Sequence, residues 1–143
     1  MRRVLRVEEE LVNLGRLVKS IAHMYGLITE EGFREAVRFV IEEVLGVAKV
    51  SKWVYYDAKG VVYQRPSNVE VDVVIKDGEH ILVEVKSRVD KGDLVELYNI
   101  GKLYSEVSGV KPKLLILSAF FARGVLDLAR ELGVELVPIV REY

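Results

Sequence analysis

The chain has 143 residues, of which 50% are hydrophobic and 30% are charged, and its formal net charge is -1. This composition predicts a globular protein with a single core, and it excludes a disordered chain and a uniformly basic nucleic-acid-binding surface. The chain has no cysteine, which excludes disulfides, thiolate metal sites and a cysteine nucleophile.

The basic N-terminus is not followed by the apolar run and small-residue cleavage site of a signal peptide. No run of apolar residues approaches the length of a membrane span. We therefore expect a cytoplasmic protein without a membrane partner. The sequence has a single Gln and a single Thr, which resembles the depletion of thermolabile amides in thermophiles.

Apolar residues recur every three or four positions over residues 4–25, as at Leu11, Leu14 and Ile21. This spacing predicts an amphipathic N-terminal helix over residues 1–26. Its apolar face can pack on its own domain or on a second copy, so a homodimer through residues 4–25 is a prediction with an open alternative. Residues 27–143 form the second predicted unit.

A second helix is predicted from Thr29 to about Leu45, with Thr29 as its N-cap. At 100° per residue, Glu30 falls on the apolar face of this helix, whereas Glu31 points away from it. A carboxylate such as that of Glu30 is unusual on the apolar face of a helix.

The rest of the chain alternates strand and helix patterns, with turn residues between them. The predicted elements are a strand, turn and short strand over 50–64, a hairpin over 69–87, a helix over 90–107, a strand over 113–118, a helix over 123–132 and a strand over 134–139. This order predicts an α/β fold, in which an antiparallel hairpin begins a mixed sheet that ends in parallel strands.

The hairpin VEVDVVIKDGEHILVEVKS carries charged residues where buried strands are usually apolar. A two-residue loop would place Asp72 and Glu84 on opposite faces. A three-residue loop over 77–79 pairs Asp72 with Glu84 and Glu70 with Lys86, and it leaves the other face wholly apolar. Hydrophobic matching therefore predicts the three-residue loop.

Two neighbouring carboxylates repel each other unless a cation or a shared proton lies between them. Oxygen ligands of this kind suit Mg²⁺ or Mn²⁺. A lysine two residues from one ligand, on the same face, can stabilise negative charge or orient a water. Asp72, Glu84 and Lys86 therefore predict metal-assisted hydrolysis of a phosphodiester, with a structural ion-pair network as the alternative.

These residues resemble the PD-(D/E)xK nuclease superfamily, in particular its archaeal Holliday-junction resolvase-like and RecB-like branch. Asp72 matches the metal-binding Asp of that motif, and Glu84-Val85-Lys86 matches its E-x-K. The resemblance covers residues 29–118. It implies a restriction-endonuclease-like αβββαβ core, with a mixed central sheet flanked by helices.

The resemblance also implies residue roles. Asp72, Glu84 and the backbone carbonyl of Val85 would bind Mg²⁺ or Mn²⁺, and Lys86 would act on the attacking water. The family often adds a Glu from the first helix, which points to Glu30, with Glu31 as the second choice. Two features depart from the pattern: Pro66 lies well before Asp72, and the helix after the motif lacks the frequent Gln, so its polar candidates are Tyr98, Asn99 and Lys102.

Nucleic-acid contacts are predicted at two places. Basic residues alternate with aromatic residues over 49–65, and Lys52, Lys59 and Arg65 there could follow a phosphate backbone while aromatic rings stack on bases. Packing of those aromatic rings in the core is the alternative. Ser87 and Arg88 directly follow the motif and can contact a phosphate, although Ser87 can also cap the next helix.

The resulting prediction is a Mg²⁺-dependent endonuclease that acts on nucleic acid, with DNA favoured as the substrate and RNA as the open alternative. A non-catalytic nucleic-acid-binding or assembly module with the same fold is the alternative. Glu70 is a secondary candidate for the site, with a surface ion pair to Lys86 as its simpler role.

Overall fold

The computed structural model describes residues 49–76 and 78–138. The predicted helices over 4–25 and 29–45, the dimerisation segment, Glu30 and Glu31 lie outside these residues. The same holds for the side chain of Ser87.

The described part of the chain contains five strands and two helices. In chain order they are β1 (Lys49–Asp57), β2 (Ser67–Lys76), β3 (Glu79–Val89), α1 (Lys91–Ser108), β4 (Lys113–Phe121), α2 (Val125–Leu132) and β5 (Val134–Pro138). Gly133 ends α2 with a φ of 71°, the left-handed conformation that the sequence predicts for a helix C-cap.

The strands form one mixed sheet in the order β1-β2-β3-β4-β5. The pairs β1–β2 and β2–β3 are antiparallel, whereas β3–β4 and β4–β5 are parallel. Parallel neighbours need crossover connections, which α1 and α2 provide. The predicted α/β class, with a hairpin leading into parallel strands, is confirmed.

The core lies between the sheet and the two helices. Val71, Leu82 and Ile116 from three strands pack in one cluster with Leu94 and Leu97 of α1. Each fully buried side chain of this size contributes about 1.5–3 kcal/mol. A β-carbon on Gly101 would lie 2.8 Å from a methyl group of Leu114, so glycine allows α1 to approach β4 closely.

The hairpin register differs from the predicted one. Lys76 pairs with Glu79 and Asp72 pairs with Val83, across a loop of two residues that ends in Gly78, whose φ is 79°. The prediction that Asp72 pairs with Glu84 was therefore wrong. Hydrophobic matching could not select the register, because Val74 and Ile81 on one face are buried as fully as the Val73–Leu82 pair on the other.

The segment after β1 also differs from prediction. Residues 61–64 form a compact turn instead of a second short strand. The N–H of Gln64 donates to the carbonyl of Gly60, whose φ is 68°. The N–H of Val62 donates to Oδ2 of Asp57 at 2.9 Å, and Asp57 is buried. The β-branched residues Val61 and Val62 suggested a strand, but Val62 instead packs into the core.

Replacing the buried Asp57 should loosen this turn. Asp57→Ala removes the acceptor for the Val62 N–H and leaves a buried donor without its partner, so we expect a loss of about 1–3 kcal/mol in the free energy of unfolding. Urea denaturation measures this loss. Glu106→Ala, at an exposed position on α1, should change stability by less than about 0.5 kcal/mol. Equal stability of the two variants would contradict the role of Asp57.

Candidate functional site

The candidate site forms where β2 and β3 part. Among the described residues, their pairing ends at Asp72–Val83. From there β2 continues beside β1 toward Ser67, while β3 continues beside β4 toward Val89. The two strands therefore open a cleft at the level of Asp72.

Two predicted site carboxylates line this cleft together. Its lining consists of Lys52, Glu70, Val71, Asp72 and Glu84. Side chains alternate along a strand, so Glu84 starts on the opposite sheet face from Asp72 and its partner Val83. The parting of the strands brings both carboxylates to one opening despite this alternation. The two-residue loop starts Asp72 and Glu84 on opposite faces of the sheet. The two residues can nevertheless share one site.

The cleft is open to solvent, so a cation held by its carboxylates could keep water molecules in its shell. Asp72 and Glu84 are half-buried. Among residues 49–76 and 78–138, no group of three or more carboxylates and histidines is gathered closely enough to hold a metal ion. Two carboxylates suffice for Mg²⁺, which completes its shell with water and phosphate oxygens, so the donor set fits this ion.

Glu70 forms an ion pair at the edge of the cleft. Its Oε2 lies 3.7 Å from Nζ of Lys52, and both side chains are about half exposed. The expected pairing of Glu70 with Lys86 does not occur in this register. Because exposed ion pairs contribute little, the Lys52–Glu70 pair leaves both residues available to rearrange around a ligand.

Lys86 lies on β3 two residues beyond Glu84, on the same face by strand alternation. Its Nζ lies 3.5 Å from Oδ1 of Asp93, and the two side chains are 26% and 22% exposed. Asp93 belongs to the first turn of α1. Sequence analysis missed this residue. The short connection between β3 and α1 was the available signal, since it brings the first turn of the helix close to the end of the motif strand.

Tyr63 is a second residue that sequence analysis did not select for the site. Its hydroxyl donates to Oε1 of Glu96 at 2.9 Å. Partial burial, the hydrogen bond and charge of Glu96, and the charge of Glu84 together raise the pKa of Tyr63 to about 12. The influence of Glu84 indicates that Tyr63 lies within electrostatic range of this carboxylate. The amide of Asn99 holds this turn through a 3.5 Å hydrogen bond to the Val62 carbonyl.

The other predicted residues are distributed around the domain. Lys59 and Arg65 are exposed on the β1–β2 turn, and Arg88 is exposed in β3, with its Nε 3.4 Å from Oδ1 of Asp90. Lys102 is exposed on α1, with its Nζ 5.3 Å from the centre of the Tyr98 ring. The side chain of Val85 is buried.

The aromatic residues of β1 divide between packing and exposure. Trp53 stacks on Tyr55 with ring centres 5.4 Å apart and meets Tyr104 edge-on. It is therefore occupied in core packing, as the alternative interpretation predicted. Tyr56, by contrast, is 58% exposed and can contact a ligand. His80 forms a hydrogen bond with Tyr104.

Comparisons with known proteins concern the family and the fold. Residues 67–135 match the family model of the PD-(D/E)XK nuclease superfamily, and residues 1–66 match a family described as protein of unknown function, DUF3782. No curated protein matches the sequence significantly. None of the described helices is long and apolar enough to cross a membrane.

Two solved structures share the fold. EndoMS in apo form matches with a TM-score of 0.53 and 14% identity over 80% of this chain and 47% of its own. Protein VC1899 from Vibrio cholerae matches with a TM-score of 0.50 and 19% identity over 78% of this chain and 33% of its own. The chain thus spans less than half of either relative.

The domain has the restriction-endonuclease-like fold. The family match over residues 67–135 and the shared fold both support the resemblance to the PD-(D/E)XK nuclease superfamily. The two family matches meet between β1 and β2, yet these strands pair along the whole of β1, from Lys49–Ile75 to Asp57–Ser67. The sheet therefore combines residues from both matched segments.

The raised pKa of Tyr63 predicts a pH-dependent stability. The folded chain holds the phenol proton more tightly than the unfolded chain, whose tyrosine pKa is 10.0. The stabilisation is therefore present below pH 10.0 and is lost as the pH rises through about 12. Thermal unfolding between pH 9 and pH 12 should show a steeper decline for wild type than for Tyr63→Phe. Tyr56→Phe should follow wild type, and parallel curves for wild type and Tyr63→Phe would contradict the assignment.

Proposed function

We propose that the protein is a divalent-metal-dependent nuclease that hydrolyses phosphodiester bonds, with DNA as the preferred substrate. One observation carries the proposal: Asp72 and Glu84 line a single cleft, in a domain that resembles the PD-(D/E)XK nuclease superfamily. Lys86 follows Glu84 by two residues on the same strand. Two of the three motif residues therefore border the opening between the strands, and the third follows on β3.

The carboxylates of Asp72 and Glu84 would hold Mg²⁺ or Mn²⁺. The backbone carbonyl of Val85 and the carboxylate of Glu30 are proposed as additional ligands. When bound, the metal supplies Lewis-acid polarisation of the phosphate and a more acidic water. Asp72 and Glu84 are half-buried, so their carboxylates can reach solvent and substrate. The local dielectric around them remains below that of bulk water.

Lys86 supplies a fixed positive charge beside the carboxylates. An ammonium in this position stabilises the additional negative charge that develops on a phosphate during attack, and its N–H groups can orient the attacking water. The partial burial of Lys86 strengthens both effects, because solvent screens a half-buried charge less than an exposed one.

Substrate binding would rest on local charge, since the net charge of -1 provides no general attraction for nucleic acid. We propose that Lys52 in the cleft, Lys59 and Arg65 on the turn, and Ser87 and Arg88 after the motif contact phosphates. Lys102 remains a secondary candidate. A homodimer through residues 4–25 would present two such sites to two strands, whereas a monomer would cut one.

The first experiment is calorimetric titration of Mn²⁺ into wild type, Asp72→Ala, Glu84→Ala and Lys86→Met. Wild type should bind Mn²⁺, and the two carboxylate variants should lose this binding because each removes an oxygen ligand. Lys86→Met should retain Mn²⁺ binding. Asp127→Asn, at an exposed position on α2, is the control and should match wild type.

Cleavage of plasmid, branched DNA, single-stranded DNA and RNA by the same variants completes the test. The carboxylate variants should be inactive, and Lys86→Met should lose about 100-fold or more in rate, as expected when one stabilising donor is removed. A wild-type protein that binds DNA without binding metal or cutting would replace the nuclease with the non-catalytic binding module.

A further inference from the structure

We propose that Asp93 is a positioning residue that fixes the ammonium of Lys86 for catalysis. This inference rests on the proposed nuclease function and adds a residue that the D…E-x-K motif does not contain. Asp93 contacts Lys86 and does not line the cleft between β2 and β3, and as an anion it would repel a phosphate, so it would act through Lys86 rather than on the substrate.

The contact between Asp93 and Lys86 is better shielded from solvent than the Lys52–Glu70 and Arg88–Asp90 ion pairs. Its atoms lie 3.5 Å apart, and its side chains are 26% and 22% exposed. The exposures are 45% and 60% in the Lys52–Glu70 pair and 64% for both partners of the Arg88–Asp90 pair. Screening by water and salt is weaker at the less exposed pair, so Asp93 holds its partner more effectively than the surface pairs do.

Asp93 is itself held in place by the start of α1. Its Oδ2 accepts the backbone N–H of Asp90 at 2.8 Å, which leaves Oδ1 for Lys86. The first turn of a helix favours a carboxylate, because its free N–H groups carry partial positive charge. The next residue, Leu94, is fully buried. The carboxylate that faces Lys86 is therefore mounted on a rigid, packed element.

Lysine needs such support more than arginine does. Its ammonium is a point charge on a flexible four-carbon stem, with no planar fork to fix its direction. Reaction rates fall steeply when a catalytic group is displaced by about 1 Å. A carboxylate that restricts the stem of Lys86 would therefore raise the rate of the cleavage step without strengthening substrate binding.

The test compares Asp93→Asn with Asp127→Asn in the full chain. Asparagine keeps an oxygen that can accept the Asp90 N–H but loses the charge that faces Lys86. Asp127 is the matched control, since it makes the same chemical change in the first turn of the other helix. Asp93→Glu restores the carboxylate and serves as the rescue variant.

Three measurements separate positioning from structure: the single-turnover cleavage rate at saturating Mg²⁺, the Kd for uncleaved DNA in Ca²⁺, and the Tm. Asp93→Asn should lower the rate by about 10-fold or more, because the ammonium of Lys86 would no longer be held in position. Its Kd and Tm should stay near those of wild type. Asp93→Glu should recover a large part of the rate, and Asp127→Asn should lose none. A lower Tm with an unchanged rate would reduce Asp93 to a helix cap and overturn the inference.

A second readout does not require activity. The order parameter of the Lys86 Cε methylene, from ¹³C relaxation, should fall in Asp93→Asn and not in Asp127→Asn. If wild type cuts no substrate but this order falls, the nuclease function fails and the positioning contact stands. If Asp93→Asn and Asp127→Asn give the same order parameter and the same rate, the inference is overturned.

Discussion

The site depends on the point at which β2 and β3 stop pairing. On both sides of the paired segment the sheet is buried, as Val74 with Ile81 and Val73 with Leu82 show. Charged side chains within such a segment would require costly desolvation. Beyond Asp72–Val83 the strands separate, and carboxylates that start on opposite faces can reach one opening. The separation therefore gives these carboxylates access to solvent and brings them to the same opening.

The second layer of the site comes from α1. Its first turn places Asp93 beside Lys86, and its next turn places Glu96 beside Tyr63. One contact joins β3 to α1, and the other joins the β1–β2 turn to α1. The helix α1 is anchored in the core by Leu94 and Leu97. The helix thereby connects the motif strand and the β1–β2 turn to a single rigid support. A shift of α1 would therefore displace the motif strand and the β1–β2 turn together.

Much of this architecture could be predicted from the sequence. Strand and helix periodicities gave the class of fold, and the positions of Asp72, Glu84 and Lys86 gave the superfamily that the comparisons support. The hairpin register could not be predicted, because both faces of the Val73–Val74 segment are buried and a slip by one residue costs little apolar pairing. The turn at 61–64 was missed for a related reason: burial of Val62 in a turn gives the same apolar pattern as burial in a strand.

The contacts of Asp93 and Tyr63 could not be predicted from the sequence. Each depends on the angle at which α1 packs on the sheet, which in turn depends on close contacts such as that between Gly101 and Leu114. Local propensity identifies the helix and its acidic first turn, but it does not determine which strand residue that turn will face. Such side-chain partnerships follow from tertiary packing alone.

The boundary between the two matched segments falls between residues 66 and 67, inside the sheet-forming part of the chain. The strand β1 belongs to the first match and shields the whole outer side of β2, which belongs to the second. A polypeptide beginning at residue 67 would present β2 as a bare edge, with backbone N–H and C=O groups ready to join the β-sheet of another molecule. Val69 and Val71, both buried in the whole domain, lie on that strand and would favour self-association. The segment that matches the nuclease superfamily therefore depends on the other matched segment to cover one edge of its sheet.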